Sequence, residues 1–81
     1  MVNGESKNQI NVVIGLVMEI LGDESIDSES TMDSVDAWDS FAYIAIIAKI
    51  SEFFSIEVTA DDLGSFSSIK SINQFVTDAL Q

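Results

Sequence analysis

Cysteine, histidine, proline and arginine are absent from this 81-residue chain. Without cysteine it forms no disulfides and no thiolate metal sites. Without histidine it lacks the commonest general base and metal ligand of proteins. Its basic side chains are three lysines, too few for the clustered basic surface that nucleic-acid phosphates require. The composition therefore weighs against most enzyme classes and against nucleic acid as a partner.

The charge of the chain is strongly one-sided, since 14 acidic residues against 3 lysines give a formal net charge of −11. An anionic membrane surface repels such a chain, whereas proteins with basic patches attract it by electrostatic steering. The same self-repulsion opposes association, so we expect a monomer. No apolar stretch is long enough to span a membrane, and the first residues lack the pattern of a signal peptide. We expect a cytoplasmic protein with no membrane insertion.

The length and hydrophobic content indicate one small folded domain. Hydrophobic residues make up 47% of the chain, which argues against disorder despite the high charge. A domain of this size holds one modest core and leaves little room for a deep enzyme cleft. We expect a flexible segment at residues 1–5 and a single domain over residues 6–81.

The spacing of apolar residues predicts an all-α bundle of three main helices and one short helix. The first helix is predicted to open at Ser6, which forms a capping box with Gln9, and to end at Gly22 in a left-handed cap. Gly15 within it indicates close packing against a neighbouring element. A long polar loop follows, of a length that is often functional. Four apolar side chains are expected to hold this loop to the core: Ile26, Met32, Val35 and Trp38.

The second helix is predicted to be capped by Asp39 or Ser40 and to run to about Phe54. It has two apolar stripes, which predicts contact with the core on one side and with a partner or a guest molecule on the other. One stripe consists of Phe41, Ile44, Ile47, Ala48 and Phe54, and the other of Ile46, Ile50 and Phe53.

The rest of the chain predicts two further helices. Thr59 and Asp62 are typical of a helix start, and a short helix is expected near 60–63. The last helix is expected to be capped by Ser67 or Ser68. Its core-facing stripe consists of Ile69, Ile72, Phe75, Val76 and Ala79.

The first loop resembles a calcium-binding loop only in part. Acidic and hydroxyl side chains alternate in it, at Asp23, Ser25, Asp27 and Glu29. However, Ser28 stands where such a loop needs glycine, and Ser34 stands where it needs a bidentate glutamate. A solvated acidic loop is the better interpretation, and we expect no metal site.

The sequence offers no evident base to activate Ser40 as a nucleophile. A serine nucleophile needs a base, usually histidine, to take its proton. Lys49 lies nine residues further along the same helix, too far for direct contact. We therefore expect a protein without enzymatic activity, in which Ser40 is either a helix cap or a point of attachment.

The segment AWDSFAYIAIIAKI resembles the modification site of the acyl carrier protein family, in which Asp-Ser-Leu or a near variant opens the second helix. The similarity extends over nearly the whole chain, through the long first loop, FFSIEV, ADDL and SIKSINQFV. It implies a four-helix bundle of the acyl carrier type with a short third helix. It also implies that Ser40 receives 4'-phosphopantetheine from coenzyme A, transferred by a separate phosphopantetheinyl transferase.

The resemblance further implies a non-catalytic carrier. The thiol of the arm would hold an acyl or aminoacyl group as a thioester in a dedicated pathway for a polyketide, a lipid or another secondary metabolite. Asp39 would help the transferase to bind metal and substrate, and Phe41 would take the place of leucine and pack the helix start onto the core. The implied partners are the transferase, a loading enzyme and a downstream synthase or transferase. The alternative is an unmodified, acidic helical module for protein interaction.

One departure from the family concerns the surface for partners. Fatty-acid carriers place acidic residues along the second helix, whereas this chain has Ala42, Ala45 and Lys49 on that face. We therefore expect an apolar partner surface that includes Phe41 and is centred on Ala42, Tyr43 and Ala45.

Two further side-chain sets allow two interpretations each. Trp38 either contacts a partner or packs the loop onto the bundle, and packing is favoured. Five isoleucines either line a pocket for the acyl chain or form plain core, which is favoured: Ile44, Ile46, Ile47, Ile50 and Ile72.

Overall fold

The computed structural model describes the backbone of residues 2–81 and the side chains from residue 8 onward. Helix α1 is Val2–Leu21, helix α2 is Ser40–Phe54, a short 3₁₀ helix is Ala60–Phe66 and helix α3 is Ile69–Ala79. The predicted all-α bundle of three main helices and a short one is confirmed. The division into a flexible segment of residues 1–5 and a domain of residues 6–81 stays a prediction.

Helix α1 starts earlier than the sequence pattern predicted. It begins at Val2, so Ser6 is not its capping residue, and the side chain of Ser6 lies outside the described residues. The side chain of Gln9 reaches α3 instead: its Nε2 donates to Oδ1 of Asn73 at 2.7 Å and to Oγ1 of Thr77 at 2.8 Å. Gln9 therefore holds two helices together, at a position where the pattern predicted a capping box.

Gly15 within α1 and Gly22 just after it have different roles. Gly22 has a φ of 65° and its N–H donates to the Met18 carbonyl at 2.8 Å, which confirms the predicted left-handed cap. At Gly15, an added Cβ would meet nothing within 4 Å. The predicted close packing at Gly15 is therefore wrong, since this side of α1 faces a shallow groove.

The core joins all the helices to the long loop. The loop contributes Ile26 and Trp38, and Met32 and Val35 pack against the same cluster, as predicted. The Met32 N–H donates to the Ser67 carbonyl at 2.8 Å, and the Ile69 N–H to the Ser30 carbonyl at 3.1 Å. The buried side chains are those of Val13, Leu16, Val17, Ile26, Ser30, Trp38, Ile46, Ile50, Phe66, Ile69, Ile72 and Val76.

Side-chain caps define the starts of the last two helices. The carboxylate of Asp62 accepts hydrogen bonds from the Thr59 N–H and hydroxyl, at 3.0 and 2.9 Å. Oγ of Ser68 accepts from the Ser71 N–H at 3.1 Å, so Ser68 rather than Ser67 caps α3. The 3₁₀ helix is also tied to α2, because the Tyr43 hydroxyl donates to the Leu63 carbonyl.

The described helices contain no segment long and apolar enough to cross a membrane.

Candidate attachment site at the start of helix α2

Asp39, not Ser40, is the capping residue of α2. Its backbone is extended, with φ −99° and ψ −170°, and its Oδ1 accepts a hydrogen bond from the Ala42 N–H at 2.9 Å. Ser40 is the first helical residue and its side chain is exposed. The interpretation of Ser40 as a helix cap is therefore wrong. The helix does not require its hydroxyl, which is available to an enzyme from solvent.

The helix terminus at Ser40 suits a phosphate group. Backbone N–H groups of the first turn have no partner within the helix, and the helix dipole favours negative charge there. No acidic residue occupies the first turn of α2. A phosphate on Ser40 would therefore lie beside unpaired N–H groups, with Asp39 as the adjacent negative charge.

The two described lysines are paired elsewhere. Nζ of Lys49 lies 4.0 Å from a carboxylate oxygen of Glu19 on α1, and Nζ of Lys70 lies 2.9 Å from one of Glu29. Both pairs are exposed and add little stability. Both lysines are thus engaged away from the start of α2.

Phe41 lies on the surface, with 86% of its area exposed. The predicted packing of Phe41 onto the core is wrong. At 3.6 residues per turn, Phe41 is rotated about 140° from Ile46 and about 180° from Ile50, which are the buried residues of α2. Trp38, which is 2% exposed, packs this end of the helix instead, as favoured for that residue.

The exposed side of α2 is apolar. Four exposed residues share one face, Phe41, Ile44, Ala45 and Ala48, and we call this face the α2 surface. The prediction that α2 has two apolar sides is confirmed, although the stripes divide differently: Ile47 and Phe54 pack towards the core. The sequence pattern did not separate these residues, because both sides of α2 are equally apolar.

The residues expected at the centre of the partner surface differ in their exposure. Ala45 is exposed, whereas Ala42 and Tyr43 are only half-exposed, and the Tyr43 ring packs against the core cluster. Leu63, whose carbonyl accepts from Tyr43, is exposed beside them. The exposed apolar face of α2 is thus centred on Ile44 and Ala45, and the binding of partners to it stays a prediction.

The isoleucines suggested for an acyl pocket are divided in the same way. Ile46, Ile50 and Ile72 are fully buried, and Ile47 packs against them. Ile44 is 64% exposed. The four that face inward form core, as favoured, and Ile44 belongs to the α2 surface.

The acidic loop uses its carboxylates for local turns. Oδ1 of Asp23 accepts from the N–H and hydroxyl of Ser25 at 2.9 and 2.6 Å, and these bonds lower the pKa of Asp23. Oδ1 of Asp27 accepts from the Glu29 N–H at 2.9 Å. The described residues contain no group of three side chains arranged to hold a metal ion. The carboxylates thus form Asx turns.

No family model matches the chain, and no curated protein matches it. Its structure is similar to the solution structure of a holo acyl carrier protein from Geobacter metallireducens, with a TM-score of 0.77 and 18% sequence identity, over 89% of this chain and 85% of that one. At this identity the likeness concerns the fold. The chain therefore has the fold of acyl carrier proteins, as the sequence resemblance predicted.

Proposed function

We propose that this protein is an acyl carrier protein that bears 4'-phosphopantetheine on Ser40. The observation that carries the proposal is that the capping residue of α2 and the exposed serine are different residues. Asp39 supplies the cap, so the exposed Ser40 hydroxyl lies free at a helix terminus that favours phosphate. The fold of the chain supports the same role.

The attachment step needs an enzyme from outside the chain. Oγ of Ser40 forms a bond to the β-phosphorus of coenzyme A, and the bond from that phosphorus to the oxygen of adenosine 3',5'-bisphosphate breaks. The serine proton passes to a base of the phosphopantetheinyl transferase. One carboxylate oxygen of Asp39 accepts the Ala42 N–H, and we expect the other to assist the metal and substrate of that transferase.

The arm then carries the chemistry, and the protein presents it. Its thiol holds an acyl or aminoacyl group as a thioester, supplied by a loading enzyme and consumed by a downstream synthase or transferase. A dedicated pathway for a polyketide, a lipid or another secondary metabolite fits a carrier whose α2 is apolar rather than acidic.

The α2 surface is the proposed site for these partners. Its side chains are uncharged, and Asp36, Asp39 and Glu52 lie near its ends along the chain. A partner that fits it offers an apolar recess bordered by basic groups, because the chain as a whole is strongly negative. Trp38 is buried and does not belong to this surface.

An unmodified interaction module is the second candidate, and the exposed Phe41 and Ile44 are the observation that favours it. Intact-mass measurement after incubation with coenzyme A and a broad-specificity transferase separates the two. The carrier is expected to gain one phosphopantetheine, to lose this gain in Ser40→Ala and to keep it in Ser67→Ala, a matched change at another exposed serine. Absence of any gain with a transferase active on a reference carrier would leave the interaction module.

A further inference from the structure

The indole N–H of Trp38 is buried without a hydrogen-bond acceptor. Nε1 has no partner among the described residues, and the side chain is 2% exposed. Buried tryptophans usually satisfy this group, because an unpaired donor in the interior loses the hydrogen bonds that water gave it. The unpaired N–H therefore needs an explanation of its own.

The surroundings of Trp38 are apolar. It belongs to the same core cluster as Ile26, Ile46 and Phe66. The one buried polar side chain among the described residues is Ser30. Its hydroxyl is already engaged with Asp27, accepting from the Asp27 N–H at 2.9 Å and donating to Oδ1 at 3.3 Å. The described residues therefore supply no acceptor to the indole.

Trp38 also lies next to the proposed attachment point. Trp38 lies two residues before Ser40, so their Cα atoms are at most about 7 Å apart. The segment around it is a loop of turns, in which Met32 and Val35 are only half-buried. Such a segment opens more easily than a helix. If Ser40 bears the flexible arm, as proposed above, a group tethered to the arm can reach the indole when this segment opens.

We propose that the Trp38 indole N–H binds a carbonyl oxygen of the tethered cargo. The indole is a donor only, and its surroundings offer no acceptor. An amide or a hydroxyl would therefore bring a second donor into the core that remains unpaired, at a cost to binding. A carbonyl without a hydrogen of its own brings none. Two groups of the cargo meet this condition: the thioester carbonyl and a ketone further along the acyl chain.

The indole resonance of the only tryptophan tests the inference directly. Hydrogen exchange of the Nε1 proton is compared in the unmodified chain, the phosphopantetheine form, a saturated S-alkyl thioether, a saturated acyl thioester and a 3-ketoacyl thioester of equal length. Exchange is expected to slow about five- to tenfold on forming the bond, together with a downfield proton shift, only in forms with a thioester or ketone carbonyl. A response to both thioesters identifies the thioester carbonyl, and a response to the ketoacyl form alone identifies the ketone.

Two results would overturn the inference. One is equal exchange in all five forms. The other is an equally slow exchange already present in the phosphopantetheine form or the thioether, since those forms lack the required carbonyl. Intact mass recorded on each sample keeps the claims apart: a chain that gains no arm contradicts the carrier role and this inference, whereas a loaded chain with an unresponsive indole contradicts this inference alone.

The variant Trp38→Phe keeps an aromatic ring in the core and removes the donor. Where both thioesters respond in the exchange measurement, hydrolysis of the loaded thioester is expected to be several-fold faster in the variant, because the thioester carbonyl is no longer held away from water. Equal hydrolysis rates in that case would count against the inference. The exchange measurement uses the natural chain, so it decides the question even if the variant folds poorly.

Discussion

Asp39 accepts the Ala42 N–H with its side chain at 2.9 Å, and this bond starts helix α2 one residue before the serine proposed for attachment. The arrangement separates two tasks that a single serine would otherwise combine. The carboxylate fixes the helix start, and the neighbouring hydroxyl remains exposed. A modification of Ser40 therefore leaves the cap intact.

The separation predicts different effects for two alanine variants. Asp39→Ala removes the cap and is expected to destabilise the chain by about 1 kcal/mol. Ser40→Ala removes an exposed hydroxyl and is expected to change stability by less than about 0.5 kcal/mol. Urea unfolding of both variants measures the difference. Equal losses of stability would show that Ser40 shares the capping role.

The charge of Asp39 is predicted to matter apart from its cap. Asp39→Asn keeps an oxygen that accepts the Ala42 N–H, since asparagine is an equally good capping residue. Its stability is therefore expected to match the natural chain, while its rate of modification falls because the transferase loses a carboxylate. Mass measurement against time gives the rate. An unchanged rate would remove Asp39 from the attachment site.

The α2 surface is predicted to serve binding rather than stability. Phe41→Ala and Ala45→Glu are expected to alter the free energy of unfolding by less than about 0.5 kcal/mol but to weaken loading by the cognate enzyme. Phe66→Ala is the matched control, because the same side chain, fully buried, is expected to cost about 3–5 kcal/mol. Unchanged loading of Ala45→Glu would place the partner surface elsewhere.

Gly15 in α1 and Gly22 after its end are predicted to respond in opposite directions to alanine. Gly15→Ala is expected to stabilise the chain by about 0.5–1 kcal/mol, because the added methyl meets no neighbour and alanine favours the helix. Gly22→Ala is expected to destabilise it by about 1 kcal/mol or more, since φ is 65° there. Thermal unfolding of the pair tests both. Destabilisation by Gly15→Ala would indicate a contact at that position.

The pH dependence of the acidic loop follows from Asp23. The hydrogen bonds from Ser25 lower the pKa of Asp23 in the folded chain, so its contribution to stability is fully present above its unfolded pKa of about 4. It is lost as the pH falls through the folded pKa. Ser25→Ala is expected to raise the pKa of Asp23 towards the ordinary value, as followed by NMR titration. An unmoved pKa would mean that Ser25 does not hold the carboxylate.

Local sequence signals predicted most of the fold because they act over a few residues. Backbone hydrogen bonding at Gly22 marks the end of α1. Side-chain hydrogen bonding marks the starts of the last two helices, at Thr59 with Asp62 and at the serine pair before α3. The capping box expected at Gln9 was wrong, because Gln9 uses its amide for a contact with Asn73, sixty-four residues away. Tertiary hydrogen bonding of that kind has no local signature.

The attachment site at Ser40 stays a prediction, while the structure corrects the roles expected of its neighbours. The segment around Ser40 was identified from its residues, yet the roles of its neighbours depend on how α2 is rotated against the core. Hydrophobicity alone does not specify this rotation, since Phe41 and Ile44 are as apolar as Ile46 and Ile50. At 100° per residue, Phe41 lies about 140° from Ile46 and about 180° from Ile50. Once these two isoleucines are assigned to the core, Phe41 is therefore expected on the surface.

The central claim is that Ser40 carries the phosphopantetheine arm. The most direct test is fragmentation mass spectrometry of the full chain after reaction with coenzyme A and a transferase. Every fragment containing Ser40 is expected to carry the added mass, whereas fragments ending at or before Asp39 or beginning after Ser40 are expected not to. Added mass on any other serine, or a chain that stays unmodified beside a fully modified reference carrier, would contradict it.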